Sequence, residues 1–92
     1  QAGDRDGALA AYEESLKIRR SLARDKGNAE AQTDLAVSLT RVASVSSDPG
    51  RSYREALAIL QGLDKEGRLS KEQQDWIGWI KGKLAALPAA TR

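Results

Sequence analysis

The chain has 92 residues, 15 of them Lys or Arg and 13 Asp or Glu, so it fills one modest core and carries a net charge of +2. So small an excess excludes a surface committed to nucleic acid or to an anionic membrane. With neither His nor Cys, the chain lacks the commonest general base, thiol nucleophiles, disulfides and the usual zinc ligands.

The first helix is expected over about residues 5–25, after turn and capping chemistry in Gly3-Asp4-Arg5-Asp6. Ala8, Leu9, Tyr12, Leu16 and Ala23 recur at helical spacing, and a second line, Ala11, Ser15, Ile18 and Leu22, runs beside them. Two adjoining stripes predict neighbours on more than one side. Lys26-Gly27-Asn28 predicts the stop, with Gly27 in a left-handed position.

A second helix is expected over 29–45, with Leu35, Ala36, Leu39, Val42 and Ala43 as its apolar set. Ser46-Ser47-Asp48-Pro49-Gly50 is the strongest breaker in the chain. A third helix follows over 51–63, carrying Tyr53, Ala56, Leu57, Leu60 and Leu63, and residues 64–69 form the next connection. The fourth, over 71–87, opens on a capping box, Ser70 with Gln73. It carries Trp76, Ile80, Leu84 and Leu87 on one face, and Pro88 closes it before a frayed tail over 89–92. No stretch nears the roughly 20 apolar residues that span a bilayer. The fold class predicted is all-α, one domain over 1–92.

An internal repeat runs through this pattern. Ala8, Leu9, Ala10 and Tyr12 superpose on Ala56, Leu57, Ala58 and Leu60 at an offset of 48 residues. A small Ala followed by large apolar residues lets a neighbouring helix approach while filling the flanking grooves. In these residues the chain resembles the tetratricopeptide repeat (TPR) family over about residues 3–63. Gly3, Asp4, Ala8 and Tyr12 fit that family's second helix, and Leu35, Ala36 and Leu39 its first. The offset exceeds the usual 34-residue repeat, the closing Pro is missing after Ile18, and the turn before the second copy is enlarged. An extended-helix variant is therefore implied, as in kinesin-light-chain-like and multi-repeat bacterial proteins.

The resemblance implies antiparallel helix pairs in an α-solenoid fragment. The first helix becomes the B helix of an incomplete repeat, 29–45 and 51–63 one full A/B pair, and 71–87 a C-terminal capping helix. With no Met in the chain, the native start and the missing A helix are expected upstream of Gln1. A plain four-helix bundle is the rival architecture.

No catalytic constellation emerges. Glu13 and Glu14 diverge by about 100° around a helix and read as a solvated face, with Glu13 paired to Lys17. The glycines are too widely spaced for a phosphate loop. Lys17, Arg20 and Arg24 form a basic contact stripe, but Glu13, Glu14 and Asp25 dilute it and no clustered aromatics are there to stack bases. A solvated face is the preferred reading, and nucleic acid is not the expected partner. Trp76 is expected in the core and Trp79 at an edge, as cap packing or as an interface aromatic. The resemblance places concave-face contacts at Glu30, Thr33, Val37, Thr40 and Arg41. Because Thr33 and Val37 stand where the family's chaperone-tail clamp has other residues, no such clamp is expected.

The function expected is thus a protein–protein interaction scaffold, not an enzyme, with no cofactor, no metal and no membrane association, for an unidentified protein or peptide partner. One alternative is an all-α regulatory or nucleic-acid-associated domain using the basic stripe. Another is a structural cap or self-association segment, a homodimer formed through the first helix. The cytoplasm is the favoured compartment.

Overall fold

Asn28, Asp48 and Ser70 start three of the four helices by one device: a side-chain oxygen accepts from a backbone N–H of the first turn. Asn28 Oδ1 accepts from Ala31 at 3.0 Å, Asp48 Oδ1 from Arg51 at 3.4 Å, and Ser70 Oγ from Gln73 at 3.1 Å. Gln73 Oε1 in return accepts from the Ser70 N–H at 2.9 Å, completing the expected capping box. The computed structural model describes residues 2–88, so the expected tail lies outside the described residues. The elements are α1 (Ala2–Ala23), α2 (Ala29–Val45), α3 (Pro49–Lys65) and α4 (Lys71–Ala86).

Four boundaries depart from expectation. Residues 3–6 are helical rather than a turn, because Gly there weakens a helix by only about 1 kcal/mol relative to Ala and acidic residues suit its N-terminus. Gly27 does not take the left-handed conformation; its N–H donates to Asp25 Oδ1 at 2.9 Å instead. α3 begins at Pro49, since Pro at a first helical position has no donor to lose and Asp48 caps it. α3 also runs on to Lys65, where Gly67 at φ 68° closes a Schellman motif. The Arg68 N–H donates to Leu63 O and the Gly67 N–H to Asp64 O, each at 2.9 Å.

Short connections make consecutive helices neighbours, and extensive contact runs α1–α2, α2–α3 and α3–α4. α2 is the centre, with Leu35, Ala36, Leu39, Val42 and Ala43 all buried. Ala36 and Ala56, at 1% and 0% exposure, let α2 and α3 approach closely. Leu16 and Ala23 of α1, Tyr53, Leu60 and Leu63 of α3, Leu69 of the α3–α4 connection and Ile80 of α4 complete the core. Each such large side chain contributes about 1.5–3 kcal/mol by leaving water.

Alternate helices meet more loosely and so form two layers. The Arg20 guanidinium of α1 pairs with the Glu55 carboxylate of α3, while α2 and α4 flank an open groove. Arg68 bonds the carbonyls of Lys26 and Gly27 at 2.7 and 2.8 Å, tying the α3–α4 connection to the α1–α2 connection. Among the described residues the helices pack in chain order, with no extensive α1–α4 contact.

Candidate functional site: the groove between α2 and α4

α2 and α4 both pack on α3, and a trough of about 530 Å³ lies between them. Val37 and Thr40 form one wall, Trp76 and Trp79 the other, and Leu60 of α3 the floor. Thr40 turns its hydroxyl back onto the Val37 carbonyl at 2.6 Å, so this wall asks no hydrogen bond of a ligand. Asp75 is the one charged residue lining the trough among the described residues.

Trp79 is 52% exposed yet fixed in place. Its ring meets the buried Tyr53 ring edge-on, with centroids 6.2 Å apart and planes at 76°. The Lys83 ammonium lies 5.2 Å from the Trp79 ring centroid, in cation–π range. The spacing of α4 explains the cluster, since residues 76, 79, 80 and 83 are neighbours at i+3 and i+4 along one side of a helix. A large aromatic surface already held in position loses little conformational freedom when a partner covers it.

The residues singled out from the sequence divide between this groove and other surfaces. Val37, Thr40 and Trp79 come together here. Thr33 is buried at 7% exposure and donates to the Ala29 carbonyl at 2.8 Å, so its hydroxyl serves α2. Arg41 is exposed but does not line the groove, and Glu30 lies beside Arg19 and Leu22 in a dent on another side. Sequence reasoning assigned Trp76 and Ile80 to the core alone and missed Asp75. The i, i+1, i+4, i+5 spacing of Asp75, Trp76, Trp79 and Ile80 was the available signal.

The basic stripe does not act as a unit. Arg20 makes a two-pronged pair with Glu55, one contact at 3.0 Å. That hydrogen bond holds the guanidinium above its ordinary pKa; partial burial pulls the other way and Coulomb attraction adds to the rise. Lys17 and Arg24 are exposed on either side. Arg24 shares a wider groove of about 670 Å³, between α1 and α3, with Lys26, Glu55 and Glu66. Charges of both signs there give no single-sign field for phosphate. Gln32 Nε2 is buried in the same region without a hydrogen-bond partner among the described residues.

Among the described residues no three acidic side chains converge to hold a metal ion, and no helix is long and apolar enough to cross a membrane. No protein-family model matches the chain, and no curated protein or solved structure matches it significantly.

Proposed function

We propose that the protein is a TPR-like interaction module that binds an apolar-rich segment of a protein partner in the α2–α4 groove and performs no chemistry of its own. The observation that carries this reading is Trp79, half in solvent yet clamped between Tyr53 and Lys83 at the mouth of an apolar trough. Exposed, pre-positioned aromatics of this kind dominate binding energy where they are covered. Support for the repeat comes from the two-layer stacking and from the close α2–α3 approach at Ala36 and Ala56, which are small residues of the family-like motifs. The basic-face alternative is weakened by the commitment of Arg20 to Glu55.

Peptides selected from a random displayed library against the 92-residue chain test the proposal. A selected peptide should shift the tryptophan emission and lose at least about tenfold in affinity with Trp79→Ala, the size of effect expected for an interface anchor. Affinity indifferent to both Trp79→Ala and Val37→Lys, with helical content unchanged, would remove the groove from consideration.

A further inference from the structure

The groove between α1 and α3, about 670 Å³ in volume, has the size of a small-molecule site and shares no lining residue with the α2–α4 groove. Its room comes from α3. Ala58 and Gly62, one helical turn apart, present almost no side chain there, and a Cβ added at Gly62 meets nothing within 4 Å. Ala23, Leu35 and Leu63, all buried, give the groove an apolar lining.

Its charges do not cancel within the chain. Glu55 and Glu66 line the groove, but Glu55 is held by Arg20, and Glu66 accepts from Arg68 at 3.2 Å. Asp25 accepts from the Gly27 N–H and does not line the groove. Arg24 and Lys26 line it, exposed and without an acidic partner among the described residues. The uncommitted charge is therefore positive.

Gln32 adds a directional donor. It is 9% exposed, and its Nε2 is enclosed with no hydrogen-bond partner among the described residues. A buried donor left unpaired is a standing penalty that an acceptor removes. The last torsion of a Gln side chain is broad, so little opposes turning the amide toward the groove it lines. An amine would be repelled by Arg24 and Lys26 and would leave Nε2 unpaired. An alcohol would gain nothing from either cation. A carboxylate accepts only, and carries the single negative charge this mixed surface favours.

We propose that this groove binds a small apolar carboxylic acid, its carboxylate accepting from Gln32 Nε2 beside Arg24 and Lys26 and its apolar body lying against Ala58, Gly62 and Leu63.

Octanoate, titrated into isotopically labelled protein and followed by NMR, is the probe. The Gln32 side-chain amide signals should shift saturably together with the Gly62 backbone N–H. Octanol and octylamine should bind at least about tenfold more weakly, as the loss of a charge-assisted hydrogen bond implies. Gln32→Met removes the donor and keeps an unbranched chain; affinity should fall about tenfold while urea stability holds or rises, because an unpaired buried donor goes with it. Gly62→Leu places a side chain in the open space and should abolish binding with no loss of stability. Arg24→Gln with Lys26→Gln should weaken octanoate binding and remove most of its salt dependence. Trp79→Ala should leave it unchanged, which separates this site from the α2–α4 groove. Octanoate that leaves Gln32 unshifted, or binds no better than octanol, overturns the proposal. So does binding that survives Gly62→Leu and is lost with Trp79→Ala.

Discussion

α1 and α4 sit at opposite ends of the helix row, and they finish it differently. α4 turns one apolar face inward: Ile80 is buried, and Trp76, Ile77, Leu84 and Leu87 are packed partly buried against the core. Its outer surface is polar or small, with Lys71, Lys81, Gly78 and Gly82 exposed. Even its exposed Trp79 is braced by Tyr53 and Lys83. α1 instead buries Leu16 and Ala23 on one side and shows Ile18 and Leu22 to water on another. An end helix in a stack needs one apolar stripe, and an interior helix needs two. By that criterion α4 carries the one stripe of an end helix, and α1 carries a second stripe that the described residues leave exposed.

The comparison is broken most directly by one substitution on each helix. Ile80→Ala removes a side chain that is 1% exposed, so its loss should cost about 2–5 kcal/mol. Ile18→Ala in the isolated monomer should stay within about 0.5 kcal/mol, as surface changes do. Urea unfolding of both variants, at concentrations where the chain is monomeric, measures the contrast. Similar losses from the two would mean that α1 has no second, unused face.

A smaller effect tests how α4 is hung on α3. Gly67 holds φ 68°, and a side chain there is disfavoured by about 1–2 kcal/mol. Gly67→Ala should lower stability by that amount, and Gly67→Asn by less, since Asn tolerates the left-handed region better. Equal stability of all three proteins would count against the Schellman closure. Gly67 was also the boundary the sequence hid. The sequence reading set the connection at 64–69, whereas α3 continues through Asp64 and Lys65 before Gly67 turns the chain.

What was legible elsewhere divides along the same line. Caps and stripes are local, so Ser70 with Gln73 and the α2 core could be read directly from residue spacing. Pro49 was read as a stop because its missing donor forbids a helix interior, whereas at the first helical position the same property favours a start. The groove is not local. Val37, Thr40 and Trp79 could each be named from the sequence, but their meeting depends on how closely α2 and α3 approach through Ala36 and Ala56. That distance decides where α4 lies. The Arg20–Glu55 pair joins residues 35 apart in sequence, and no spacing rule announces it.

The smallest effect sharpens the view of α4 as an end. Gly78 and Gly82 are interior to the helix and exposed, and a Cβ added at either meets nothing within 4 Å. Glycine in a helix interior is worse than alanine by about 0.5–1 kcal/mol, mostly through the freedom it has when unfolded. Gly78→Ala and Gly82→Ala should therefore each raise stability by about that amount, and together roughly additively because neither alters a packed contact. The midpoint of urea unfolding should rise at unchanged slope. A fall in stability would mean that the outer side of α4 is covered by a contact that none of the described residues makes.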